Sequence, residues 1–588
     1  MSTFATPLEA YQSRLKREHF LLVRKTLDEL IQRSGVDVAA NQATIQQLNT
    51  VQARLEEARK GLGFWKGVNA LLVFLLIGGV IAAGLMVVAL FVDVVVPHRS
   101  RTLLVGVLVA LGAWLLKQFW VTERMAQAAQ RVAALETEAS RLEAEAWAQM
   151  EPLNRLFTWD TVTDLLRQVL PDIQFDRMLS QQRVDDLEVG LGWSDEATRE
   201  ISIRQLQSGE IQGNPFLMAE GLSSRMGEKI YSGTKTVLVR RTVYDGRRQT
   251  VRLVPEVLRA TVTKPFPVYF PVAFVLFGSD AAPNLVFSRE PSKHSGQEDT
   301  FFNRLAKRRT TKELEAFSRN LDDEYGFTMM ANREFETLFH AKDRSDEREF
   351  RLLFTPYAQQ EMVKLLNDTT VGFGDNFRMV KEHCITAVFP SHLLKTELSL
   401  APGHFRNKDI VALKQHFVQY NVDYFKAFYF ALAPLMTIPL YCQRRTPTQM
   451  LTHRTATETA SYENEVIANA YGDAFFKPAK CVTPCLLKTT TRGAGDATQF
   501  DVTAYGYRAV PRTDYVRCYD SDGNGHQVPV QWNEYLPVQA TTPMIALPDR
   551  IAETGEKRSE ADALALLQAN HIAATRVRHI RASYTALV

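Results

Sequence analysis

Cysteine is scarce in this chain. Five cysteines are spread over 588 residues: Cys384, Cys442, Cys481, Cys485 and Cys518. So sparse and odd a set argues against a disulfide framework and fits a reducing compartment. An excess of one charge is also missing. The 69 lysines and arginines face 66 aspartates and glutamates, for a net charge of +3. A dedicated nucleic-acid binder shows a clear basic excess, so no nucleic-acid partner is expected. The phosphate-binding G-x-x-x-x-G-K-[ST] loop is absent, as are a strand-to-helix G-x-G-x-x-G, G-x-S-x-G and H-E-x-x-H. That weighs against an enzyme, although catalytic sets assembled by folding leave no linear motif. The mean hydropathy of -0.17 is too polar for a polytopic transporter. No signal peptide is expected, because the first apolar run begins only after a long charged amphipathic stretch.

That run is the strongest feature present. Residues 67–92 carry no charge, which exceeds the roughly 20 apolar residues needed to cross the hydrocarbon of a bilayer. Asp93 ends it and Pro97 breaks any continuing helix. A second run, 102–121, has Lys117 near its end, where the side chain can reach the headgroups. Phe64 and Trp65 before the first run, and Trp114, Phe119 and Trp120 in the second, suit an interfacial belt. A soluble helix of this length would show a polar face. Neither run has a central ionisable residue of the kind that transport pathways carry. The flanks hold Arg54, Arg59, Lys60, Lys66, Lys117, Arg124 and Arg131, against Arg99 and Arg101 in the connecting loop. This bias places both termini in the cytoplasm.

Beyond the second run, Met125, Ala128, Val132, Leu135, Ala139, Leu142 and Ala146 recur at spacings of three and four. Ile45, Leu48, Val51 and Leu55 make a shorter stripe ahead of the first. The two segments predict an antiparallel helical stalk, with an intermolecular coiled coil as the alternative. Leu8, Tyr11, Leu15, Leu22, Leu27, Leu30 and Ile31 form the apolar side of a further helix, expected to fold back on the stalk or the body.

The rest reads as a soluble α+β body. Asp245-Gly246 between two runs rich in valine and threonine predicts a β-hairpin. The prolines of residues 260–280 fit strand edges. Residues 288–299 read as a loop, followed by a basic cluster of Arg304, Lys307, Arg308, Arg309 and Lys312. That cluster is either a solvated helix face or a contact for anionic lipid or an acidic partner. Residues 425–441 are apolar but short, with Lys426, Pro434 and Pro439, and read as buried core before an interfacial segment. Alternating runs after them predict a second β-sheet, and Ser559 opens a terminal helix. The expected division is 1–66 for N-terminal helices and first stalk helix, 67–121 for the hairpin, 122–158 for the second stalk helix, 159–400 for an α+β domain and 401–588 for a β-rich domain.

One block carries a resemblance. Phe335, Phe339, Asp346, Glu349, Arg351, Leu353, Thr355 and Pro356 form an F-x(3)-F…D-x-x-E-x-R-x-L-x-T-P skeleton. It resembles an uncharacterised bacterial membrane family, a domain of unknown function behind N-terminal transmembrane spans. The resemblance covers roughly residues 60–400 and implies a bacterial membrane protein without supplying an activity. Physically, Thr355 can cap a helix that Pro356 begins.

Asp520, Asp522 and Asn524, with Gly525, match the opening of a calcium loop. Gln531 stands where the bidentate glutamate belongs and the flanks read as strands, so a plain hairpin turn is the competing reading. Cys481 and Cys485 lie four apart. A zinc site needs about four ligands; Cys518, His526 and His453 could be recruited, but no second close pair exists, so zinc and redox pairing both yield to a reading as small buried residues. Asp322, Asp323, Glu324, Glu347 and Glu349 read as solvated ion pairs. The sequence thus points to a bacterial inner-membrane interaction or scaffold protein, with the bilayer, a protein partner or a second copy as its contacts and no obligatory cofactor. Alternatives are a membrane-tethered hydrolase and a lipid-handling protein. Single cysteines placed near residue 10 and near residue 97 test the orientation. In intact cells the first is expected to resist an impermeant maleimide and the second to react, and the reverse pattern would invert the topology.

Overall fold

The computed structural model describes residues 6–91, 99–176, 178–194, 196, 198–244, 249–293, 295, 310–313, 316, 328–443, 459–493, 498–548, 577–581 and 584–587. The Asp245-Gly246 turn, segment 92–98, Asp322, Asp323, Glu324 and the helix expected after Ser559 lie outside these residues. The fold is α+β with two antiparallel sheets. The chain divides into two compact units, one of residues 25–157 and 405–418, the other of 1–24, 158–404 and 419–588. Residues on both sides of position 400 therefore share a unit.

The first unit is helical. The helices Val38–Phe91 and Thr122–Asn154 pack along one stripe, with Ile45, Leu48 and Val51 against Leu142 and Ala146. In the second helix the expected seam positions are buried or half-buried, while most residues between them are exposed. The seam is thus satisfied within one chain. Arg59 reaches Glu136 at 2.7 Å across it. At the lower end the pair is pinned by amides. Asn154 Nδ2 donates to Asn407 O and its Oδ1 accepts from Asn407 N–H, at 3.1 and 3.2 Å. Asn41 does the same with Lys408 O and Ile410 N–H.

Among the described residues, one helical stretch, Val38–Ile81, is long and apolar enough to cross a membrane. The second apolar run also forms a helix, Arg99–Leu116. Leu72, Ala113 and Val121 meet between the two, and Trp65 stacks edge-on against Trp120 at 5.4 Å. Among the described side chains many apolar ones are open: Phe74 is 73% and Phe119 71% exposed.

The second unit centres on two sheets and the part of the helix Ile410–Met436 beyond residue 418. The larger sheet has strand order β1-β2-β3-β4-β7-β6-β5, with β1 Ile173–Phe175, β2 Ile201–Ile211, β3 Asn214–Tyr244, β4 Gln249–Gly278, β5 Val286–Arg289, β6 Phe377–Glu382 and β7 Ile385–Pro390. The smaller is β11-β12-β10-β9-β8, with β8 Leu486–Gly493, β9 Thr498–Tyr519, β10 Gly525–Pro548, β11 Val577–Arg581 and β12 Tyr584–Leu587.

Two hairpins outgrow their sheets. β2 leaves β3 at Ser223, yet β3 and β4 stay paired to Tyr244↔Gln249. β8 leaves β9 at Tyr505, yet β9 and β10 stay paired to Tyr519↔Gly525. At about 3.3 Å per residue, each free ribbon extends on the order of 50–70 Å. The ribbons lie face to face, with Val237, Val239, Leu258 and Ala260 packed on Val528 and Val530. Gly233 marks the closest approach, because a Cβ there would stand 2.1 Å from Pro529 O. Pro255, Pro265, Pro267 and Pro271 all fall on alternate positions of β4, and Pro529, Pro537 and Pro543 on alternate positions of β10. In an antiparallel ladder alternate N–H groups point away from the partner, so these missing donors lie on the free edges.

The apolar run 425–441 is interior, as expected. Phe425, Phe428, Tyr429, Phe430, Leu432 and Met436 are buried. The N-terminal helix folds onto this segment: Tyr11 packs against Phe425, Tyr429 and Phe430, and Tyr429 Oη donates to Pro7 O at 2.8 Å. His19 stacks on Phe425 at 4.2 Å. Its burial pulls the imidazole pKa down to about 3. A folded-state value below the unfolded one makes this stability present above about pH 6.5 and lost as pH falls toward 3. His19→Phe is therefore expected to gain stability over the natural chain by about 2 kcal/mol at pH 5 and nothing at pH 8, read from urea unfolding at the two pH values.

Candidate functional site

The sequence singled out the turn between β9 and β10, and the structure gives it a definite task. Asp520 Oδ1 accepts from the N–H groups of Asp522 and Asn524 at 3.0 and 2.8 Å. Its Oδ2 meets Asn524 Nδ2 at 3.3 Å and His526 Nε2 at 2.7 Å. The hydrogen bond from His526 holds the carboxyl down at about 2, with the Asn524 and Asp522 donors adding to it against desolvation. Both oxygens are thus committed to donors of the turn itself. Asp522 Oδ2 accepts from Arg240 N–H of β3 at 2.9 Å, and Ser521 Oγ donates to Glu256 of β4 at 2.5 Å. The loop that resembles a calcium site is a hairpin turn clipped onto the other ribbon. Its flanks are strands, and among the described residues no cluster of three metal-ligating side chains occurs.

His526 and Cys518 are cross-strand partners, so Cys518 stands at the same level of the ribbon as the His526–Asp520 pair. The arrangement differs from a nucleophile and its base. The imidazole Nε2 is bound to Asp520, and the Cys518 thiol donates to Arg259 O at 3.6 Å. Further down the ribbons, Lys264 pairs with Asp514 at 2.7 Å and lies 4.5 Å over the Trp532 ring, whose Nε1 also donates to Asp514.

The block that carried the family resemblance is a folding device. Phe335, Phe339, Phe350 and Phe354 form one aromatic cluster with Phe287. Thr355 caps the helix Pro356–Asn367 as the sequence suggested, and Asp346 caps Glu347–Leu353. Glu347 and Glu349 are structural acceptors rather than solvated charges. Glu347 binds the fully buried Arg344 at 2.5 Å, and Glu349 binds Asn284 at 2.7 Å. Lys312 is exposed, and Arg304, Lys307, Arg308 and Arg309 lie outside the described residues.

Sequence reasoning missed the buried ions. Arg344 pairs with Glu336, Arg289 with Asp375, and Arg183 with Asp176 and Glu210. Glu465 is pushed up to about 7 by burial, opposed by Lys488 at 2.7 Å and by the Ile203 N–H. Lys381, donating to His383 O, is drawn down to about 8 by burial. No family model, curated protein or solved structure matches this chain. The site must therefore be read from its own geometry, and that geometry is one of mutual attachment between two ribbons.

Asp520→Ala should release the turn. Hydrogen exchange at the Asp522, Asn524 and Arg240 amides is expected to accelerate, while β9 next to β8 keeps its protection. Unchanged exchange at all three amides would show that the carboxylate does not hold the ribbons together.

Proposed function

We propose that this chain is a membrane-anchored interaction protein of the bacterial inner membrane, with both termini in the cytoplasm, which offers the outer face of the β3–β4 ribbon to a protein partner. One observation carries the reading. Leu238, Val251, Leu253 and Val257 are each more than half exposed, and the ladder register sets all four on the face turned away from Val237, Val239 and Leu258. A contiguous apolar strip of this kind on a rigid support is the usual chemistry of a protein contact.

Four further features support the anchor and its placement. The described stretch Val38–Ile81 meets the length and apolarity of a span. Its open apolar side chains match a hydrocarbon surround better than water. The flanking Lys and Arg bias favours the cytoplasmic side for the termini, and the resemblance of the block from Phe335 to Pro356 to a bacterial membrane family fits the same location. Most of residues 425–441, which had suggested lipid handling, are buried, which favours the protein contact over that reading.

A photo-crosslinking residue at Leu253 in the membrane-embedded chain is expected to yield a discrete protein adduct. Leu238→Asp should abolish the adduct while changing stability by no more than about 0.5 kcal/mol, as for an exposed position. Adducts to lipid alone, or a protein adduct indifferent to Leu238→Asp, would overturn the assignment.

A further inference from the structure

Cys481 and Cys485 have no part in the ribbon contact. Their loop lies between the short helix Asp473–Phe476 and β8. Val482 N–H donates to Tyr507 O, and Tyr507 N–H donates back to Thr483 Oγ1, both at 2.9 Å. Tyr269 Oη, from β4, lies 3.0 Å from the same Thr483 hydroxyl. The loop is thereby fixed on β9, and the two sulfurs stand 3.7 Å apart. Both are seated over Gly506. A Cβ at that position would come within 2.5 Å of Cys481 Sγ and 3.2 Å of Cys485 Sγ, so the glycine is what leaves room for a pair. A disulfide bond is about 2.05 Å long, and closure needs only a small rotation of the two side chains.

The two thiols are not equivalent. Cys485 is buried at 1% exposure, and burial pushes its pKa up to about 12. Cys481 is half-buried. There the desolvation cost is outweighed by hydrogen bonds from Thr483, Cys485 and the Tyr507 backbone, which lower its pKa. A cleft of about 360 Å³ adjoins the pair, lined by Tyr269, Tyr505, Gly506, Tyr507 and Gln539 among others.

We propose that Cys481 and Cys485 form a redox couple that exchanges with low-molecular-weight disulfides of the glutathione class, Cys481 attacking and Cys485 resolving. In the first step the Cys481 thiolate displaces one thiolate from the disulfide, which takes up the proton Cys481 gave away. A mixed disulfide remains on Cys481. In the second step Cys485 gives up its proton and attacks Cys481 Sγ. The second small thiolate leaves and takes that proton. Two protein thiols are oxidised to the Cys481–Cys485 disulfide, and one small disulfide is reduced to two thiols. Excess thiol drives the reverse.

The test uses full-length protein in detergent, reduced and then equilibrated over a series of glutathione to glutathione-disulfide ratios. Samples are acid-quenched, alkylated and mapped by peptide mass, so that Cys384, Cys442 and Cys518 are followed separately. A Cys481–Cys485 disulfide is expected, with its midpoint inside the series and full reversal by dithiothreitol. Cys485→Ser should accumulate glutathione on Cys481 at least roughly tenfold faster than Cys481→Ser accumulates it on Cys485. Two free thiols at the most oxidising ratio, or equal rates in the two variants, would overturn the proposal. The titration of the natural chain decides the point even if a serine variant fails to fold. It is also independent of the membrane and partner reading, since neither outcome depends on an anchor.

Discussion

A two-stranded antiparallel ribbon has one partner for each strand and no core of its own, and in water it is marginally stable at best. This chain carries two such ribbons, each far longer than the sheet from which it grows. Each becomes stable only as the hydrophobic surface of the other. The valines of β3 find theirs in Val528 and Val530 of β10, and the backbone contact at Gly233 sets how closely the layers approach. The polar contacts then fix the register. Arg240 to Asp522, Ser521 to Glu256 and Lys264 to Asp514 join opposite ribbons at successive levels. Isolated exposed ion pairs contribute little, but distributed along two stacked ribbons they select one alignment from several that apolar packing alone would accept.

The parts of this architecture with local causes were legible in the sequence. The stalk seam could be read from its spacing because helical neighbours recur every three to four residues. The Thr355-Pro356 helix start, the turn at Asp520 and the burial of 425–441 likewise follow from a few adjacent side chains. The ribbons were only half legible. Alternation and proline placement identified strands, but nothing local says that β3 and β9 outrun their sheets, because their stability comes from residues nearly 300 positions away. The buried charges were hidden for a different reason. Arg183, Arg289 and Arg344 look like surface residues until folding supplies Asp176, Asp375 and Glu336. His19 was masked likewise, a polar residue in the middle of the stripe formed by Tyr11, Leu15 and Val23. The candidate site was legible as a turn, and the Asp520 oxygens that the sequence offered to a cation accept N–H groups here.

Burial of ionised groups explains why the body tolerates its unusual interior. An unpaired buried charge would cost several kcal/mol, so Arg183, Arg289 and Arg344 are each matched to a carboxylate, and two of them also lie over rings. Arg344 lies 4.3 Å over Phe350 and Arg289 4.7 Å over Phe377. The Arg289 pair lies between the edge strand β5 and its neighbour β6, and the directional bonds of these pairs set a geometry that apolar contacts leave loose. The hairpin helices follow the opposite rule, with apolar side chains outward and charge confined to the ends, because their surroundings differ.

The prolines of β4 and β10 have a consequence beyond local geometry. A long bare strand edge is normally a template on which another chain can add itself, hydrogen bond by hydrogen bond, and such addition seeds fibrils. Here the donors that would recruit a newcomer are deleted at intervals along the free margins of β4 and β10. Those two margins can therefore be long without being self-adhesive, even when many copies are crowded together. A partner that approaches them is left with the broad surface of the ribbon and must recognise side chains instead of backbone.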